Sequence, residues 1–156
     1  MATTPNSIIT AQTPNAGVMN VVLSTAMTNT KAWDGTDTPG TALALVYTVG
    51  ANGGIVDQVI VRPSGTNGAT PSTISTATRL AIWINNGSAN TTATNNTLIA
   101  DATIATFTPS AVASVPGYAI PIGLTLPAGY KIYVGIATAI GGTNDAITVS
   151  CFGKDL

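Results

Sequence analysis

The sequence predicts an all-β fold: a single antiparallel β-sandwich, jelly-roll-like, of about eight strands with an extended N-terminal arm. Three observations carry that expectation. Short runs rich in β-branched and aromatic residues alternate apolar and polar with a period of two. Clusters of Gly, Asn, Pro, Ser and Thr punctuate the runs at short intervals. Helix-period patterns are hard to find anywhere in the 156 residues.

The expected strands are Val18–Thr25, Ala42–Val49, Ile55–Arg62, Thr78–Asn85, Leu98–Thr106, Tyr118–Leu126, Tyr130–Thr138 and Ala146–Phe152. In the sixth, Tyr118, Ile120, Ile122, Leu124 and Leu126 share one face, and Ala119, Pro121, Gly123 and Thr125 share the other. Pro121 cannot donate to a ladder, so this strand is expected to have a free edge or a bulge. Pro127-Ala128-Gly129 reads as a tight hairpin into Tyr130, Ile132, Val134 and Ile136, with glycine where φ must be positive. Asn52-Gly53-Gly54 reads as a second hairpin, joining Ala42–Val49 to Ile55–Arg62. Ile55–Arg62 is apolar on both faces, which predicts a central strand covered on two sides. Leu80, Ile82 and Ile84 point one way and Trp83 the other. A closed barrel is the alternative to the sandwich, since periodicity does not choose between them.

Three regions fall outside the alternation. Residues 1–16 form the arm, with Pro5 and Pro14 around an apolar Ile8-Ile9 anchor, and residues 17–156 form the sandwich domain. Residues 26–40 hold Trp33 in a long loop. Residues 65–75 and 87–96 read as polar loop tips.

Composition bounds the function. Only 7% of the chain is charged, there is no histidine, and all six acidic residues are aspartate; globular domains average about 25% charged residues. General acid–base chemistry draws on histidine or paired carboxylates, so an enzyme is not expected. A formal net charge of −1 gives no field to gather nucleic acid or anionic lipid. Cys151, the only cysteine, lies in the alternation Ile147, Val149, Cys151 and reads as a buried structural thiol. No zinc site is expected from one cysteine without histidine. Asp34 and Asp37 are the nearest acidic pair, but they read as turn chemistry, because one pair falls short of the roughly six oxygens a calcium ion takes. No cofactor and no metal are expected. The opening Met-Ala-Thr-Thr-Pro-Asn lacks the basic and apolar regions of a secretory signal, and no apolar run approaches the roughly 18 residues of a membrane span. The glycosylation-type triplets at Asn86, Asn90 and Asn95 read as loop composition.

Residues Met1–Pro14, a Thr/Pro/Gln arm, and Leu124–Gly135, an apolar strand, Ala-Gly turn and aromatic strand, resemble small virion proteins of tailed bacteriophages. That resemblance implies a capsid-associated role, such as a decoration (cement) protein or the base of a head fibre, and it brings no catalytic residues. It places the chain in the virion, on the capsid surface, after synthesis in the host cytoplasm. The expected partners are the major capsid protein or other virion subunits and further copies of the chain, a trimer being favoured, with neither nucleic acid nor membrane. The expected interface residues are Pro5, Ile8, Ile9 and Pro14 of the arm together with Trp33 and Trp83, with packing in the core or in a second layer as the other reading of Trp83. A carbohydrate- or receptor-binding module of a phage fibre or tail is the alternative, with the tryptophans as stacking platforms.

Overall fold

The computed structural model describes residues 19–27, 43–68 and 71–156. Among them are eight strands: β1 (Met19–Leu23), β2 (Leu43–Thr48), β3 (Gly54–Gly65), β4 (Thr78–Asn85), β5 (Asn96–Ile104), β6 (Tyr118–Leu126), β7 (Lys131–Ile136) and β8 (Asp145–Asp155). One 3-10 turn, Ala93–Asn95, precedes β5. The arm, residues 1–16, and the loop that carries Trp33 lie outside the described residues.

The strands form two four-stranded sheets, ordered β1-β8-β3-β6 and β2-β7-β4-β5, and every pairing is antiparallel. First pairs with last, second with seventh, third with sixth and fourth with fifth. That is one long antiparallel ribbon folded over on itself, the jelly-roll arrangement. The sandwich is therefore the form adopted, and each sheet ends in two edges.

Alternation sets the core. The first sheet turns Leu23, Val56, Val59, Val61, Ile120, Ile147, Val149 and Cys151 inward, and the second answers with Val46, Leu80, Ile82, Ile104, Ile132, Val134 and Ile136. Ile74 and Ile140 close one end of the core from loops. β4 and β6 have the bounds that their patterns predict. β3 runs past Arg62 to Gly65 although it contains Pro63, which pairs with Ile147. The β6 ladder stops at Val61 and Tyr118. Beyond it β3 has β8 alone as a neighbour, so the missing proline donor has one ladder fewer to break.

Both expected hairpins are corrected. Gly53 and Gly129 do adopt positive φ, 88° and 79°, and Tyr130 N donates to Pro127 O at 3.3 Å. Yet β2 and β3 belong to different sheets, as do β6 and β7, so these turns are corners that carry the chain across the core. Alternation says which face of a strand is buried; it does not say whether the next strand lies beside it or opposite it. The one sequential pair joined within a sheet is β4–β5.

Pro121 meets both halves of its expectation. It lies on an edge strand, and it pairs with Gln58 where the β3–β6 register shifts. β3 is central, flanked by β8 and β6, but only one of its faces is sealed: Gln58 and Ile60 on the other are half-exposed.

Candidate interaction surface

Pro5, Ile8, Ile9, Pro14 and Trp33 lie outside the described residues, and Trp83 is the one expected interface residue that the structure places. Trp83 does point away from Ile82 and Ile84, as the alternation requires. It is nonetheless 2% exposed, in a second apolar cluster with Met27, Leu43, Ala81 and Tyr133 on the outer face of the second sheet. Asn90 Nδ2 reaches over this face to the Tyr133 hydroxyl at 3.4 Å. Burial pushes the Tyr133 phenol above its ordinary value, against the smaller opposite pull of Asn90. Trp83 is thus packed as a second layer, and its ring offers no open platform for a sugar or a partner.

Jelly-roll connectivity gathers the loops at two ends. At one end lie residues 49–53, 86–95 and 127–130. Val49 N donates to Tyr130 O at 2.8 Å, and Gly129 N donates to Val49 O at 3.1 Å. The β4–β5 connection is built by asparagines. Fully buried Asn85 donates from Nδ2 to Asn96 Oδ1 at 2.7 Å and accepts from Gly87 N at 2.9 Å. Asn96 in turn donates to Asn90 O at 2.8 Å and Thr92 O at 3.2 Å. Asn86 Nδ2 reaches Asn95 Oδ1 at 3.3 Å. The triplets that resembled glycosylation sites are a hydrogen-bonded loop frame, which a composition-level reading as a polar tip did not reveal.

The same end holds the finish of β8. Tyr47 Oη donates to Asp155 Oδ1 at 2.5 Å, Gly50 N donates to the same oxygen at 2.9 Å, and Leu156 N reaches Gly53 O at 3.0 Å. Burial first, then the Asp155 carboxylate, holds the Tyr47 phenol well above its ordinary value. Cys151 is fully buried, as expected, and burial pushes its thiol up to about 12.

The opposite end carries residues 66–68, 71–77, 105–117 and 137–144. An isolated bridge between Ile74 and Phe107 and a bond from Thr76 N to Ile140 O, 3.1 Å, tie them together. Asp145 accepts from Ser72 Oγ at 2.6 Å and Ser75 Oγ at 3.3 Å. Among the described residues no three Cys or Asp side chains gather into a metal-binding group.

Four large apolar side chains are exposed among the described residues, Leu98, Val112, Leu124 and Leu156, and two of them fall in one uncharged stretch. Residues 102–130 contain no charged side chain. They comprise the end of β5, the 105–117 loop, the edge strand β6 and the turn into β7. Val112, at the loop tip, is 98% exposed, and Leu124 on β6 is 37% exposed. Ser110 Oγ shapes the tip by accepting from Val112 N at 3.3 Å and Ala113 N at 3.0 Å. Leu98, on the neighbouring edge strand β5, is 45% exposed. No motif marks this surface; the missing charge was its one trace in the sequence.

No protein-family model and no curated protein matches the chain. Among solved structures, a chain in the structure of infectious bursal disease virus Gt strain is similar over 98% of this chain, at 12% identity and a TM-score of 0.30. This chain spans 35% of that longer one. A likeness at that score carries no argument about function.

Proposed function

We propose that the chain is a structural virion protein: a capsid decoration (cement) protein that binds neighbouring capsid subunits through its N-terminal arm and its sandwich surface. The observation that carries the reading is the uncharged stretch 102–130, which the fold displays as an edge strand and a protruding loop with Val112 at its tip. Such a surface is a liability for a protein free in solution and suits one whose neighbours cover it. A jelly-roll with few charges suits a part that works by contact and performs no catalysis. The assignment to tailed bacteriophages rests on the resemblance of residues 1–14 and 124–135 alone.

In this reading the arm lies along a neighbouring subunit and adds main-chain hydrogen bonds to it. Many copies on one particle multiply modest contacts by avidity. Deleting residues 2–14 is expected to abolish capsid binding while the sandwich still melts cooperatively; retained binding overturns the role of the arm. Imaging of intact particles tests the wider reading, since copies spread over the capsid surface support decoration and copies confined to a fibre or tail tip reject it. The receptor-module alternative loses Trp83 as a stacking platform, because that ring is buried.

A further inference from the structure

The outer face of the first sheet is unlike that of the second. Across its strands the outward positions Val22, Ile60, Ser150 and Phe152 are half-exposed, and Ala119 and Pro121 on β6 are exposed. The register sets them side by side: Ile60 is level with Ser150 and Ala119, and Gln58 with Phe152 and Pro121. This uncharged centre is bounded along β3 by two exposed residues of opposite charge, Asp57 and Arg62. Arg62 follows Ile60 by two positions and so shares its face. Asp57 is the extra residue of a β-bulge, where the register passes from Val56 opposite Gly153 to Gln58 opposite Phe152. Val56 is fully buried in the core and Asp57 is exposed, so the bulge leaves Asp57 and Gln58 on the outer side together. The single salt bridge among the described residues is Arg79–Asp101, on the second sheet, so neither Asp57 nor Arg62 takes part in one there. Lys154, the other exposed charge on this face, lies farther along β8 opposite Ile55.

We propose that this face pairs with the same face of a second copy of the chain about a two-fold axis. The charges select that occupant. Asp57 and Arg62 are five residues apart, roughly 16 Å along the strand. An axis lying between the sheets, perpendicular to β3 and crossing it between Val59 and Ile60, reverses the strand direction. It sets Arg62 of each copy over Asp57 of the other and closes the uncharged centre between them. Sheets stack face to face about 10 Å apart; the Arg62 guanidinium, which lies over Gly117 of its own copy, turns outward on pairing to bridge that gap to Asp57. The patch is self-complementary, as a closed two-fold contact requires. It spans about 15 Å across the strands and about 20 Å along them, roughly 300 Å² per copy, which lies below the range of stable specific interfaces and makes the dimer weak and reversible. The inference stands apart from the virion reading and adds a two-fold contact to any contact with a capsid.

Sedimentation of the full chain up to roughly 1 mM, where a contact of this size registers, tests it. The wild type is expected to show a reversible monomer–dimer equilibrium. R62D and D57R are each expected to weaken it at least about tenfold, because symmetry puts the altered charge at the interface twice. Mixing the two single variants is expected to restore a heterodimer, in which every contact again joins opposite charges. Recovery on mixing also shows that both variants are folded. A wild type that stays monomeric overturns the proposal, as do single variants that self-associate like the wild type or a mixture that does not recover. Dimerisation seen only after removal of residues 1–18 also overturns it, by assigning the face to the chain's own N-terminal segment.

Discussion

Asn85 gives the sharpest test of how the β4–β5 connection is held. It ends β4 with no exposure to solvent, and both ends of its amide are used: Nδ2 on Asn96 Oδ1 at 2.7 Å and Oδ1 on Gly87 N at 2.9 Å. Asn85→Ala removes both partners at once. Leaving a buried polar group unpaired costs about 1–3 kcal/mol. Gly87 is exposed and Asn96 is half-buried, so water relieves part of the loss and the lower half of that range applies to each. The expected destabilisation is about 2–4 kcal/mol, or roughly 4–16 °C in melting temperature for a domain of this size. Asn86→Ala, which removes two exposed contacts, Nδ2 to Asn95 Oδ1 at 3.3 Å and Ser88 N to Oδ1 at 3.1 Å, is expected to cost under about 1 kcal/mol. Urea unfolding followed by Trp fluorescence and circular dichroism measures both, with the midpoint shifting at constant slope. Asn85→Asp adds a pH arm. Its ionised carboxylate faces the Asn96 carbonyl oxygen and cannot donate, whereas the protonated acid can. This variant is therefore expected to regain stability as pH falls, while the wild type does not. Equal costs for Asn85→Ala and Asn86→Ala, or an Asn85→Ala variant within about 0.5 kcal/mol of wild type, would refute the loop frame.

Two further predictions concern alkaline pH and the corners. Tyr47 and Cys151 both have raised folded-state values, so the folded chain holds their protons more tightly than the unfolded chain does. Their contribution is fully present below the ordinary values of 9.0 and 10.0 and is lost as pH rises above them. Unfolding midpoints are expected to fall from about pH 9 upward; Tyr47→Phe should be less stable at neutral pH but flatter in alkali, and an alkaline slope unchanged in that variant would reject the assignment. Gly129→Ala, at φ 79° with nothing within 4 Å of the new methyl, should cost about 1–2 kcal/mol from backbone strain alone. Gly87→Ala, at φ 88° with a methyl 2.9 Å from Gly129 O, should cost clearly more, and thermal melts of the two variants read the difference.

Much of the fold was legible because alternation is a local property. Tyr118–Leu126 and Thr78–Asn85 could be delimited from their own residues, and Pro121 announced its edge by the donor it lacks. Gly129 announced a positive φ for the same kind of reason. The interaction surface was less legible. Trp83 was recognised as facing away from the core, yet its burial depends on Met27, Leu43 and Tyr133, which come from three distant segments. The pairing of Asp57 and Arg62 on one face depends on a bulge, and a strict period of two would have put them on opposite sides.

The sequence by itself determined that this chain is a β-sheet protein with sparse charge and no histidine, because composition and period-two patterning act residue by residue. Only the tertiary structure decided that the turns at Gly53 and Gly129 cross between sheets and that first pairs with last. It also decided that Trp83 and Tyr133 are buried on the outer face of the second sheet while Ile60 and Phe152 on that of the first stay half-exposed. Those outcomes depend on which strands share a ladder, a choice made by contacts between residues as far apart as Met19 and Cys151, to which no local pattern is sensitive.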